Sequence, residues 1–258
     1  MGERTSHAPG TFSWADVTTT DQEGAKAFYT GLFGWEVNDS PVGDGVYYSM
    51  MLRDGRTVAA ISPQPQQQRE AGVPPAWNNY VTVESADAAA EKAGQLGATV
   101  HAPPFDVMDA GRMAVIQDPQ GAFFMVWEPR ENIGAQLVNA PGALAWNELA
   151  SSDVDASVRF YGDLFGWTTE PSPGPQRYEM LRNGDRLNGG IRELGDQPAP
   201  PHWLPYFGID DAERALVRVE ELGGTKLIGP MDIGRGTIGV VQDPQGATFA
   251  IFAGEFED

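Results

Sequence analysis

Residue types able to do chemistry are scarce in this chain, and that scarcity is the first constraint on function. There is no cysteine, which removes disulfides, thiolate metal sites, iron–sulfur clusters and cysteine nucleophiles. There are three histidines, His7, His101 and His202, from which any zinc or Ser-His-Asp enzyme would have to be built. Side chains two apart on a strand share a face. Glu148 therefore shares a face with Trp146, and His202 with Leu204. If both faces open into one cleft, Glu148 and His202 form a pair able to move protons near neutral pH, and they are the candidate catalytic residues. The alternative has Glu148 bonded to a backbone group or an arginine, and His202 at an exposed strand start. Asp16 stands to Trp14 as Glu148 stands to Trp146, but Ala76 takes the place of the histidine.

The candidate ligand-binding residues are Trp14, Asp16, Trp77, Tyr80, Met125, Trp146, Trp203 and Tyr206. Their aromatic members could wall a site for a flat organic molecule, or could be core. Arg112 and Arg235 precede strands and are candidates for binding an anion, or are solvated. No Walker A, H-E-x-x-H or G-x-S-x-G motif occurs. Gly234 to Gly239 fits G-x-G-x-x-G as letters, but it precedes a strand rather than joining a strand to a helix.

The elements that must position these residues come in copies. Gly10 to Trp35 aligns with Gly142 to Trp167, both containing F-Y-x-x-L-F-G-W. Met51-Leu52-Arg53-Asp54-Gly55 aligns with Met180-Leu181-Arg182-Asn183-Gly184, and Trp77 and Tyr80 align with Trp203 and Tyr206. Gln117-Asp118-Pro119-Gln120-Gly121-Ala122 recurs at Gln242 to Ala247. The reading is two copies of one domain, at 10–129 and 142–253, joined by Arg130 to Pro141.

Each half divides again at a Pro-rich linker, Ser62 to Pro75 in the first and Glu193 to Pro201 in the second. Alternation predicts a strand over Phe12–Val17, and helical spacing with an Asp21 cap predicts a helix to Phe33. Strands follow around Trp35–Val37, Val46–Leu52 and Thr57–Ile61, the last two flanking an Asp-Gly turn. The same order follows the linker, with strands at Asn79–Val83, Thr99–His101, Met113–Gln117 and Phe123–Glu128 and a helix ending at Leu96. The unit is β-α-β-β-β, four times over, and one unit alone cannot cover its core.

These motifs resemble the vicinal oxygen chelate superfamily, which holds glyoxalase I, bleomycin-resistance proteins and extradiol dioxygenases. More narrowly, the chain resembles a tandem two-domain branch typified by a secreted mycobacterial antigen and described as hydroxylase or glyoxalase-like. The resemblance implies an α+β fold: four βαβββ units paired into two domains with curved mixed sheets. It also implies a cleft in each sheet and, in members that do chemistry, a divalent metal held by His, Glu or Gln on the first and last strands of paired units. Carried over, those positions are Trp14, Ala60, Asn78 and Met125, then Trp146, Gly190, Leu204 and Ala250. None is His, Glu, Asp or Gln, so the expectation is no metal and no cofactor. The expected function is binding of a small hydrophobic or aromatic metabolite or antibiotic. The alternative is a lyase, isomerase, dioxygenase or hydroxylase using an atypical C-terminal site.

Composition narrows the partners. The net charge of -19 disfavours nucleic acid and anionic membranes. No apolar run approaches the roughly 20 residues of a membrane helix. Residues Met1 to His7 lack the apolar core of a signal peptide, so a cytoplasmic location is expected. The expected partner is a small molecule, with the chain a monomer or homodimer.

Overall fold

The computed structural model describes residues 2–43, 45–173, 176–196 and 199–256. The first unit comprises β1 (Phe12–Thr19), α1 (Gln22–Phe33), β2 (Glu36–Gly43), β3 (Val46–Arg53) and β4 (Arg56–Pro63). After a short α2 (Gln66–Glu70), the second comprises β5 (Ala76–Thr82), α3 (Ala86–Gln95), β6 (Thr99–Val107), β7 (Gly111–Gln117) and β8 (Phe123–Pro129). The third comprises β9 (Leu144–Ser151), α4 (Val154–Phe165), β10 (Thr168–Pro171), β11 (Tyr178–Asn183) and β12 (Arg186–Glu193). The fourth comprises β13 (His202–Gly208), α5 (Ala212–Glu221), β14 (Thr225–Asp232), β15 (Gly236–Gln242) and β16 (Thr248–Gly254).

Each helix starts and stops where its residues require. The Asp21 carboxylate accepts from the Gly24 N–H, and Gly34 closes α1 at φ 68°. Asp153 and Gly166 do the same for α4. The outer strands are longer than their patterning predicts. β2 reaches Gly43, and β6 runs through Pro103-Pro104 to Val107. Both are edge strands, where polar residues and proline are tolerated because one side of the backbone is unpaired.

Units pair in chain order. One eight-stranded sheet runs β2-β3-β4-β1-β5-β8-β7-β6 and the other β10-β11-β12-β9-β13-β16-β15-β14. At each centre two first strands lie antiparallel, with Trp14 opposite Tyr80 and Asp16 opposite Asn78. In the second sheet Trp146 faces Tyr206 and Glu148 faces Leu204. One repeat alignment shifts by a residue. Met50, not Met51, is the counterpart of Met180, because these two lie beside Ala60 and Gly190. Met51 matches Leu181, and both are fully buried on the opposite face. A one-residue slip in a strand exchanges its faces.

Helices cover one face of each sheet, and the two covered faces meet. α1 packs on α5, and α3 on α4. Each main core therefore mixes halves: Phe28, Tyr29 and Trp77 pack with Phe207 and Phe249, and Phe124 packs with Phe160, Tyr161 and Trp203. Trp77 and Trp203 thus belong to these cores. They sit one residue from Asn78 and Leu204, so the strand period turns them to the helix side. Their indole N–H groups donate to Tyr29 Oη at 3.0 Å and Tyr161 Oη at 2.8 Å.

The tyrosines pass these bonds across the interface. Tyr29 Oη donates to Asp243 Oδ2 and Tyr161 Oη to Asp118 Oδ2, each at 2.9 Å. These aspartates open the repeated Asp-Pro-Gln-Gly turns, where Asp118 Oδ1 accepts from the N–H groups of Gln120, Gly121 and Ala122. Trp35 and Trp167 donate to the carbonyls of Gly142 and Gly10 at 2.7 Å. Both repeated motifs are therefore joints between halves. Tyr161→Phe strips the acceptor from Trp203 and the donor from Asp118 inside the core. Each buried orphan costs about 1–3 kcal/mol. We expect a lowered denaturation midpoint with an unchanged slope in urea, and the same from Tyr29→Phe.

Candidate functional site

The faces away from the helices carry two centres built on one plan. In the first, Asp16 accepts from Tyr48 Oη, Tyr80 Oη and Asn78 Nδ2, each at 2.8 Å. Trp14 Nε1 donates to Tyr48 Oη at 2.9 Å. In the second, Glu148 takes the place of Asp16 and accepts from Tyr178 and Tyr206. Trp146 Nε1 donates to Tyr178 Oη at 2.9 Å. Leu204 replaces the amide of Asn78, and Arg192 Nε donates to Glu148 Oε1 at 2.8 Å instead. The strand register explains the exchange, since Arg192 lies beside Ala150 where Ser62 lies beside Thr18.

Burial pushes the hydroxyls of Tyr48, Tyr80, Tyr178 and Tyr206 up, and the adjacent carboxylate adds to the shift. They are held as neutral donors.

The two centres differ in access. The first encloses its tryptophan and its carboxylate: Trp14 is 4% exposed and Asp16 equally so. Trp127 packs around Trp14 with Ala135 and Val138 of the connector. Backbone bonds fix that connector, from Ala135 N to Ser13 O and from Gln136 N to Thr57 O. The second centre is more open, through its tryptophan, while Glu148 and Tyr206 are themselves buried. Trp146 is only partly buried. Trp146, Glu148, Tyr178, Arg192 and Tyr206 all line solvent-reached space, which the first centre reaches with Asn78, Tyr80 and Met125 but not with Trp14, Asp16 or Tyr48. Arg235, from the turn between β14 and β15, holds its guanidinium 5.3 Å from the Trp146 ring centroid.

Of the residues expected at a site, the structure brings together Trp14, Asp16, Tyr80 and Met125 in one centre and Trp146, Glu148 and Tyr206 in the other. It does not join Glu148 to His202 by a hydrogen bond. His202 Nδ1 lies 2.8 Å from Pro200 O, at an exposed strand start. Arg112 faces the helix side, paired with Asp87 and Asp106. Sequence reasoning missed Tyr48, Tyr178 and Arg192, which reach the centres from neighbouring strands.

The positions expected to ligate a metal do not fit one. Among the described residues no group of three or more His, Asp or Glu is placed to hold an ion. At Gly190 a Cβ would run into the Tyr178 hydroxyl, so no side chain can project there. A hydrogen-bond donor fills the place of a ligand.

In the first centre, burial outweighs its three donors and pushes the Asp16 carboxyl above its ordinary range. The folded chain therefore binds more protons than the unfolded one in that window. Stability contributed by Asp16 falls as pH rises from about 4 through the raised value. Asp16→Asn should flatten this slope in chemical denaturation at a series of pH values; an unchanged slope would refute the assignment.

The comparisons agree with this architecture. The profile of the Glyoxalase/Bleomycin resistance protein/Dioxygenase superfamily matches residues 11–126, and that of a glyoxalase-like domain matches 147–252. The chain is 43% identical over 256 residues to CFP32 of Mycobacterium tuberculosis, which carries a provisional glyoxylase description, with 97% of each chain covered. It is 33% identical over 262 residues to the anthracycline biosynthesis protein DnrV of Streptomyces peucetius, covering 96% of this chain and 94% of that one. In fold it is similar to the Mn(II)-bound glyoxalase of Novosphingobium aromaticivorans, with TM-score 0.68, 18% identity, and 100% of this chain and 84% of that one covered. With both halves matched and these relatives aligned from end to end, the chain belongs to the glyoxalase/bleomycin resistance protein/dioxygenase superfamily.

Proposed function

We propose that this chain binds a flat, apolar or aromatic small molecule in its C-terminal cleft, without a divalent metal. One observation carries the reading: Trp146 and Glu148 line open space, whereas their counterparts Trp14 and Asp16 are enclosed. A partly buried indole beside Tyr206, Ile238 and Phe252 offers an apolar wall. Glu148 and its tyrosines supply the few polar groups that orient a ligand. The anthracycline biosynthesis relative supports a fused-ring ligand, since anthracyclines are planar aromatic compounds.

A second reading is an enzyme in the same cleft, a lyase, isomerase or oxygenase of atypical design. Glu148 favours it, as a carboxylate bonded to two tyrosine hydroxyls and facing open space. In that reading Glu148 takes a substrate proton, and His202 lies at the rim of the same space.

The first reading is tested on protein purified without chelators. Elemental analysis should find far less than one divalent ion per chain. Aromatic ligands such as anthraquinones should raise the melting temperature and quench tryptophan fluorescence. Trp146→Ala should weaken that binding about tenfold, the scale of one lost aromatic contact with its buried area. Asp16→Asn should leave it unchanged. Stoichiometric metal, or equal loss from both variants, would count against the proposal. Under the second reading, Glu148→Gln should abolish turnover while ligand binding persists.

A further inference from the structure

We infer that the C-terminal cleft selects its ligand by length, preferring a long, linear fused-ring system to a one- or two-ring one, and that Ala250 and Ile228 are the residues that set this preference. The inference rests on the binding function proposed above and adds the size class of the ligand. Strand register carries it. Residues directly opposite one another on neighbouring strands share a face. Trp146 lies opposite Tyr206, Tyr206 beside Ala250, Ala250 opposite Val240, and Val240 opposite Ile228. One unbroken row therefore crosses β9, β13, β16, β15 and β14 on the face that bears Trp146. A second row, Phe252 to Ile238 to Met231, lies beside it. A bulge separates Ile228 from Met231, so this pair, three apart, still matches Val240 and Ile238, two apart. Both edge residues thus stay on the cleft face. Four strand-to-strand steps of about 4.8 Å make the row roughly 19 Å long.

The profile of this row differs between the two sheets. In the first, the same path reads Trp14, Tyr80, Met125, Val115 and Ala102. Its middle is filled by a methionine in the cluster around Trp14, and its edge ends in a small residue. In the second, the middle is Ala250 and the edge is Ile228. A methyl group leaves a trough between Tyr206 and Val240, and the isoleucine raises the far end. Ile228 and Met231 line the same space as Trp146 and are 43% and 45% exposed. Apolar side chains left to water in continuity with a cleft are surface for an apolar ligand to cover. Two fused rings cover Trp146 and Tyr206, while a longer system crosses the trough and meets the edge strand. Charges of both signs stand around the cleft, Arg192 and Arg235 with Glu148, Asp232 and Glu255, so the selection is one of shape.

Three probes with one dihydroxyquinone head and two, three or four linear rings test this: naphthazarin, quinizarin and dihydroxynaphthacenequinone. Each is titrated against the full chain by tryptophan quenching and calorimetry. Affinity rises with ring number on any apolar surface, so the variants decide. Ile228→Ser should weaken the four-ring probe about fivefold, the scale of one half-covered isoleucine, and move naphthazarin less than about twofold. Ala250→Met should weaken the four-ring probe about tenfold or more by filling the trough, again sparing naphthazarin. Its melting temperature without ligand shows whether it folds; if it does not, Ile228→Ser decides alone. Val217→Ser, at an exposed position on α5, should move neither probe. Equal weakening of the two- and four-ring probes by Ile228→Ser, or no weakening of either, would overturn the length selection while leaving aromatic binding intact. So would sedimentation showing a dimer that Ile228→Ser dissociates, since a second copy would then cover the edge strand. Failure of all three probes to bind would overturn the binding function and the length selection together.

Discussion

The structure depends on two reciprocal hydrogen bonds, Tyr29 to Asp243 and Tyr161 to Asp118. Each joins a helix of one half to a turn of the other, inside a core from which water is excluded. A buried tyrosine hydroxyl must find an acceptor, and a buried carboxylate must find donors. Here each need is met across the interface, and the indole of Trp77 or Trp203 completes the chain. The requirement is mutual, so neither half can satisfy its own groups alone. This fixes the helix-covered faces of the two sheets against each other. The opposite faces, which bear Asp16 and Glu148, are thereby turned outward. The direction in which the clefts open is thus set by the polar accounting of the core.

With the scaffold held in this way, the two centres are free to diverge. Their common plan is a carboxylate on the first strand, two tyrosine hydroxyls donating to it, and a tryptophan N–H donating to one of them. The divergence lies in what closes the plan. Asn78 supplies a neutral donor in the first half, and the connector packs Ala135 and Val138 against Trp14. The first centre then behaves as core, with a carboxyl whose ionisation is resisted by its surroundings. In the second, Leu204 removes the amide and Arg192 supplies a charged donor from the neighbouring strand. A fixed guanidinium compensates a carboxylate better than an amide does, which suits Glu148 to a position on open space.

Much of this was legible in the sequence, for stated reasons. Repetition exposed the four units, and caps such as Asp21 and Gly34 exposed helix ends, because both signals are local. The alternation that put Asp16 beside Trp14 and Glu148 beside Trp146 also held. Partners across strands were harder, because they depend on register. Aligning Met51 with Met180 matched letters but slipped the strand by one residue. That slip hid the recurrence of Tyr48 at Tyr178, the one signal that could have revealed both centres. The faces of Trp77 and Trp203 were hard to read for a related reason: recurrence marks a tryptophan as important in both halves without saying on which face it lies. The pairing of Glu148 with an arginine was foreseen as an alternative to a histidine dyad, but spacing alone does not choose between them.

The replacement at Gly190 shows how far the chemistry of the site has changed. A metal centre gathers acceptors, lone pairs converging on a cation. At the same depth this chain gathers donors: two phenolic hydroxyls and a guanidinium around one carboxylate, with an indole N–H donating to one of the hydroxyls. The Tyr178 ring sits against Gly190 so closely that a ligating side chain has no room there. Restoring such a ligand would therefore require moving Tyr178, which would orphan Trp146 Nε1 and withdraw a donor from Glu148. The loss of one ligand position is in this way locked in by three other residues.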